Sequence, residues 1–308
     1  MSRERRQPLR VGTRGSLLAR AQTEQVVERL REAHPELEVV LVTIQTTGDL
    51  RRDVPFTQVG AKGMFVTEIE QALLAGEIDL GVHSLKDMPG ELPEGLELAC
   101  VPPREDPRDA LLTRGGKTLV DLPPEAVIGT SSLRRQAQLL AHRPDFRLVT
   151  LRGNLDTRLR KLDAGEYDAI MLACAGLNRL GLEGRISERL DPNLCMPAVG
   201  QGALALETRQ GDTKTRALLA PLHDPDTADA VAAERGFLAA LNGGCSVPAG
   251  ALAAVRGNAV LIRGMIAAPD GSSVLRSEAT GHRARAGQIG AELAARLLRM
   301  GGEALLKG

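Results

Sequence analysis

Aromatic residues are nearly missing from this 308-residue chain, which has no tryptophan, one tyrosine (Tyr167) and four phenylalanines. Proteins that bind single-stranded nucleic acid stack bases on aromatic platforms, so this supply argues against that class. An excess of charge is missing as well, with 39 lysine plus arginine residues against 39 aspartate plus glutamate. A general polyanion binder would show a basic surplus. No run approaches the roughly 18 apolar residues of a membrane-spanning helix. The charged N-terminus, Met1-Ser-Arg-Glu-Arg-Arg6, lacks the apolar segment of a signal peptide. The four cysteines, Cys100, Cys174, Cys195 and Cys245, form neither a C-x-x-C pair nor a zinc-type cluster with histidine. These absences leave a cytosolic protein with reduced thiols and no metal centre as the expectation.

The chain does hold enough apolar material for a sizeable core, 43% hydrophobic residues, beside 25% charged ones, the ordinary balance of a globular protein. Six lysines leave 33 arginines among its basic residues. Arginine grips carboxylates with a planar fork where lysine is a point charge, so the placement of particular arginines carries the functional reading.

Strand–turn–helix units repeat along the chain. Leu9–Gly12 reads as a strand, Thr13–Ser16 as a turn, and Ala19, Thr23, Val26, Val27 and Leu30 as one stripe of an amphipathic helix. Glu38–Gln45 reads as a strand covered on both faces, Met64–Leu74 as a helix containing Phe65, and Asp79–Val82 and Leu96–Val101 as strands. Prolines in Pro102–Pro107 break the pattern and mark an interdomain crossing. It restarts with the strand Ala126–Gly129, a helix over Ser132–Ala141, the strand Arg147–Leu151, a helix over Asn154–Ala164 and the strand Ala169–Ala173. A second break falls at Pro192–Gly202. Beyond Ala228 a helix, strands at Val255–Ala268 and Ser273–Gly281, and a closing helix over Arg283–Arg299 form an α+β module. Alternating elements imply mostly parallel α/β sheets. Val11–Ser16 and Ile128–Ser132 echo each other, each following a strand and opening a helix.

Ligands of open α/β sheets bind beyond the strands' carboxyl ends, at helix N-termini that favour anions. Turns of that kind here carry arginine, hydroxyl and glycine: Thr13-Arg14-Gly15-Ser16, Thr130-Ser131-Ser132-Leu133-Arg134-Arg135 and Arg152-Gly153-Asn154. One alone reads as a capped helix with a solvated arginine. Together they describe a cleft for a ligand bearing several carboxylates or phosphates. Nucleotide motifs fail: Gly115-Gly-Lys-Thr118 ends like a phosphate loop, but Leu111 stands where its first glycine belongs. Carboxylates are the better ligand class. Asp87, in His83-Ser-Leu-Lys86-Asp87, follows a strand and reads either as a local turn or ion pair with Lys86 or as a catalytic carboxylate. Lys62, in Gly60-Ala-Lys-Gly63, is an anion contact or a solvated loop residue. Cys245, in Asn242-Gly-Gly-Cys-Ser-Val-Pro248, sits on an exposed loop and reads as an attachment point. The other three cysteines have apolar neighbours and read as core.

These segments carry a resemblance. Leu9–Ser16, Gly60–Phe65, His83–Pro89, Arg104–Asp109, Ile128–Arg135, Leu151–Asn154, Pro197–Gly202 and Gly243–Pro248 occur in order, and the chain resembles the porphobilinogen deaminase (hydroxymethylbilane synthase) family over nearly its full length. The resemblance implies two α/β domains built like periplasmic binding proteins plus a smaller C-terminal α+β domain. Their expected extents are 1–103 with 200–221, 104–199, and 222–308. It implies a cytoplasmic, monomeric transferase that joins four porphobilinogen molecules into hydroxymethylbilane, with neither a nucleic-acid nor a membrane partner. It further implies a dipyrromethane cofactor on a thioether to Cys245, and Asp87 as the catalytic carboxylate. Arg14, Ser16, Lys62, Lys86, Thr130, Ser132, Arg134, Arg135, Arg152, Gly153, Arg158 and Arg179 are implied to hold cofactor and substrate. Leu17 departs from the proline that many relatives have, a change confined to the first helical turn. A solute-binding module and a ligand-sensing regulator are the rival readings; the first has no use for the glycine-flanked Cys245 loop and would carry a signal peptide, and the second would carry a DNA-binding helix pair that the sequence does not show.

Overall fold

The computed structural model describes residues 7–47, 66–241 and 247–307. Strand β1 (Leu9–Arg14) leads into helix α1 (Leu17–Ala33), followed by β2 (Val39–Ile44), α2 (Thr67–Leu74) and β3 (Leu80–Ser84). β3 runs straight into a 3-10 turn, Leu85–Asp87, before β4 (Leu96–Cys100). The middle of the chain gives β5 (Asp109–Thr113), β6 (Val127–Gly129), α3 (Leu133–His142), β7 (Arg147–Val149), α4 (Leu155–Asp163), β8 (Ala169–Ala173), α5 (Cys174–Arg179) and β9 (Glu188–Arg189). Then come β10 (Leu204–Arg209), α6 (Thr213–Leu219), α7 (Pro225–Ala240), β11 (Ala249–Arg256), β12 (Ala259–Ala267), β13 (Val274–His282), α8 (Ala286–Leu297) and α9 (Glu303–Lys307).

The strands form two five-stranded sheets, ordered β2-β1-β3-β10-β4 and β7-β6-β8-β5-β9, and a three-stranded antiparallel sheet, β11-β12-β13. In the first sheet only β10 runs against the rest, and in the second only β5 does. Each reversed strand is the one that the chain enters on crossing from the other sheet, so the two crossings insert equivalent strands. The echo between Val11–Ser16 and Ile128–Ser132 has a matching geometry. β1 and β6 occupy the same place in their sheets, and Ser16 and Ser132 each cap the following helix through the side chain. The third sheet buries Val260 and Ile262 against Phe237 of α7 and Leu293 of α8. Two like α/β units and a smaller α+β unit are therefore present, as expected.

Several elements differ from the sequence reading. β5 and β10 were not among the expected strands: each holds only a short apolar run, Ala110–Leu112 or Leu204–Leu206, beside a fully buried acid, Asp109 or Glu207. The strand expected over Val255–Ala268 is a hairpin that turns at Gly257, whose φ of +57° suits glycine. Among the described residues β2 pairs with β1 alone and leaves Val40 and Leu41 exposed, so they do not show the cover on both faces expected from the sequence. The helix expected from Met64 begins at Thr67, with Met64 and Phe65 outside the described residues.

Candidate active site

Where the first and second sheets face each other, the ends of β1, β3 and β8 meet the starts of α1 and α4 around a cavity of about 550 Å³. The sequence builds these corners locally. Ser16 accepts a hydrogen bond from the Ala19 backbone N–H at 3.3 Å and caps α1. Gly153 holds φ at +111°, and a Cβ there would lie 2.7 Å from Cγ2 of Thr157, so the turn into α4 requires glycine. The Gly153 carbonyl accepts from Nε of Arg158 at 2.7 Å, which aims the rest of that guanidinium inward. Across the cavity, Nε2 of Gln22 donates to Oγ of Ser84 at 2.8 Å. Nη2 of Arg179 donates to the Gly202 carbonyl at 2.7 Å, fastening α5 to the returning crossing segment.

The wall is strongly cationic. Arg14, Lys86, Arg135, Arg152, Arg158 and Arg179 line it, with Asp87 and Asp156 as the carboxylates among the described residues. Burial, eased by Asp87 and reinforced by Arg135, pulls the Lys86 ammonium down to about 8. Burial and Arg135 together lower Arg158 to about 10. Arg179 is likewise lowered to about 10 by burial, with Glu105 opposing the shift. Holding like charges together away from water is costly unless an anion joins them. The helix starts at α1 and α4 add positive dipole ends to the same space. Such a cavity suits a ligand that brings several carboxylates.

Of the residues singled out from the sequence, Arg14, Ser16, Lys86, Asp87, Arg135, Arg152, Gly153, Arg158 and Arg179 converge on this cavity. Lys62 and Cys245 lie outside the described residues. Thr130 and Ser132 serve the turn that precedes α3. Thr130 is buried, with its Oγ1 accepting from the Ser132 backbone N–H at 3.2 Å, and Ser132 caps the helix. Arg134 lies apart from the residues that converge. It does not line the cavity: its guanidinium is buried against Asp109 at 2.6 Å and the Met196 carbonyl at 2.5 Å. Gln22, Ser84 and Ser131 line the wall without having been singled out. Ser84 and Ser131 fall within motifs already noted, whereas Gln22 on α1 had no sequence signal. Cys100, Cys174 and Cys195 are buried, as their apolar neighbours implied, and burial raises each thiol to about 12.

Comparison with known proteins gives a consistent result. Residues 9–217 match the family model described as porphobilinogen deaminase, dipyromethane cofactor binding domain, and residues 228–299 match porphobilinogen deaminase, C-terminal domain. The porphobilinogen deaminase of Syntrophotalea carbinolica is 54% identical over 97% of this chain and 95% of that protein. That of Roseiflexus castenholzii is 52% identical over 98% of this chain and 100% of that protein. A weaker likeness, with TM-score 0.41 and 15% identity, is to the periplasmic aliphatic sulphonate binding protein of Escherichia coli, over 76% of this chain and 70% of that one. With both of its segments matched and these identities spanning nearly all its length, the chain belongs to the porphobilinogen deaminase family.

Proposed function

We propose that the chain is a hydroxymethylbilane-forming transferase. It joins four porphobilinogen molecules head to tail with release of ammonia, and builds them on a dipyrromethane group held by a thioether at Cys245. The observation that carries this reading is the set of cationic side chains that share one cavity with Asp87. Porphobilinogen carries an acetate and a propionate, so every pyrrole ring brings two negative charges. The donor set at the wall fits a dipyrromethane tetra-acid: guanidiniums and an ammonium, with few competing carboxylates. When bound, that group supplies the pyrrole carbon from which the chain grows.

In this reading Arg14, Arg152, Arg158 and Arg179 bind carboxylates, with Ser16 and Gly153 shaping the two turns that aim them. Arg135 and Lys86 bring positive charge to the same wall, and Lys62 is a further anion-binding residue in this reading. Thr130 and Ser132 hold the turn before α3, and Arg134 shares the Asp109 carboxylate with Arg135. Asp87 faces a different task. As ammonia leaves the substrate, positive charge develops on its pyrrole nitrogen, and a fixed carboxylate in a site sheltered from water stabilises that charge. The same carboxylate accepts the proton released when the new carbon–carbon bond is complete. The arginines hold the ring acids in place, which converts an encounter between two pyrroles into a positioned reaction.

The same reading divides the chain into 1–103 with 200–221, 104–199 and 222–308, supported by the membership of the three sheets. It makes the protein a cytoplasmic monomer acting on a free small molecule. No described helix is long and apolar enough to cross a membrane. The test is direct. The purified chain is expected to weigh one dipyrrole unit more than its sequence, Cys245→Ser to weigh its sequence alone, and the wild type to release ammonia from porphobilinogen while forming a linear tetrapyrrole. A bare Cys245 thiol together with no ammonia release overturns the proposal.

A further inference from the structure

We infer that Asp109, behind the cavity wall, is a positioning residue for the site. Its carboxylate fixes Arg135 at the wall and sets how much of the positive charge of Arg134 and Arg135 reaches the ligand. This rests on reading the cavity as a carboxylate site.

Asp109 opens β5 and is fully buried. Its Oδ1 accepts from Nε and Nη2 of Arg135 at 3.0 and 2.6 Å, and from Nε2 of Gln201 at 2.9 Å. Its Oδ2 accepts from Nη1 of Arg134 at 2.6 Å and from the Cys195 thiol at 3.2 Å. Nη1 of Arg135 donates to the Met171 carbonyl at 3.0 Å. A guanidinium has five N–H donors in a rigid fork. Those three bonds to Asp109 and Met171 clamp the group from behind and leave two donors toward the cavity among the described residues.

The charge count says more than the geometry. Two buried guanidiniums share a single carboxylate, and no other acid forms an ion pair with either one among the described residues. A purely structural pair would cancel; this cluster keeps one positive charge in a place where desolvation penalises it. Arg134 faces the interior, and Arg135 is the member at the cavity wall, so an incoming carboxylate is what offsets the surplus. Asp109 also reaches the neighbouring cation. It opposes the fall in the Lys86 titration point that Arg134 and Arg135 promote. Losing its charge therefore leaves Arg135 free to turn and Lys86 easier to deprotonate.

The experiment uses the full chain with Asp109→Asn, which keeps the shape and removes the charge, and Asp109→Glu, which keeps the charge and moves it by one methylene. Melting temperature, gain of dipyrrole mass by the cofactor-free protein, and the pH profile of porphobilinogen turnover are read for each. Asp109→Asn is expected to raise KM roughly 10- to 100-fold, the weight of a hydrogen bond to a charged group. It is also expected to slow mass gain and to move the alkaline limb of kcat/KM to lower pH. Asp109→Glu keeps that limb near its wild-type position and gives an intermediate KM. A folded Asp109→Asn with wild-type KM, limb and mass gain, altered only in melting temperature, overturns the inference. So does failure of both variants to fold, which assigns Asp109 to the fold alone. If the wild type itself neither gains mass nor releases ammonia, the functional reading fails and this inference falls with it; an active wild type beside an indifferent Asp109→Asn sinks the inference only.

Discussion

Arg158 and Gly153 are bound across the turn into α4, with Nε of the arginine donating to the glycine carbonyl at 2.7 Å. The carbonyl points that way because Gly153 sits at φ +111°, and Thr157 leaves no room for a Cβ. Gly153→Ala is expected to cost about 1–3 kcal/mol of stability, the usual toll of a side chain held in a disfavoured backbone region. The relaxed turn also swings the Arg158 guanidinium from the wall, so KM rises. Thermal unfolding and steady-state kinetics on the variant check both effects, and an unchanged KM detaches Arg158 from the ligand.

Asp87 is placed by the 3-10 turn that ends β3, on the same wall as Lys86. Asp87→Asn keeps the size of the side chain and removes its charge. Turnover is expected to fall on the order of 10²–10³-fold, the effect of deleting one preorganised electrostatic partner of a transition state. Attachment of the dipyrrole unit at Cys245 is expected to persist, so intact mass separates lost chemistry from lost loading. Turnover within a few-fold of wild type removes Asp87 from the reaction.

The two neighbours Arg134 and Arg135 mark the limit of what the sequence makes legible. Consecutive residues on a helix point about 100° apart, so an arginine pair has one member for the wall and one for the interior, and nothing local says which. The deciding partner, Asp109, lies 25 residues earlier in the chain. The same cause hid β5 and β10. Each carries a fully buried acid beside its short apolar run; Asp109 is held by Arg134 and Arg135, and Glu207 is paired with His83 through Oε2 alone among the described residues. Patterning that expects apolar residues inside passes over such strands. The turns were legible for the opposite reason. Ser16, Ser132 and Gly153 act through the backbone within three to five residues, so their roles are written in nearby letters.

Lys86 gives the site a pH dependence. Burial holds its ammonium at about 8, below the ordinary lysine value. As pH rises through that point, the free enzyme loses one positive charge from the wall, so kcat/KM for an acidic substrate is expected to fall with an apparent pKa near 8. A bound carboxylate favours the charged form, so the corresponding limb in kcat lies at higher pH. Lys86→Met is expected to remove this limb and to lower kcat/KM on its acidic side. A wild-type profile that stays flat across the range contradicts the assignment.

Glu70 yields a stability prediction far from the cavity. It lies on α2, is 6% exposed, and its Oε1 has no hydrogen-bond partner among the described residues. Burial first, then the nearby charge of Glu207, push its carboxyl up to about 7, with His83 opposing them. The folded chain therefore keeps this proton from pH 4.5 to about 7, while the unfolded chain gives it up near 4.5. The acid's contribution to stability is complete below 4.5 and is lost as pH rises through 7. Glu70→Gln is neutral at every pH and nearly the same shape. Its stability relative to wild type is expected to improve with rising pH, by up to about 3 kcal/mol over the whole interval. Urea unfolding of both proteins at either end of that interval measures the difference, and an equal gap at the two ends would show that Glu70 titrates as an ordinary surface acid.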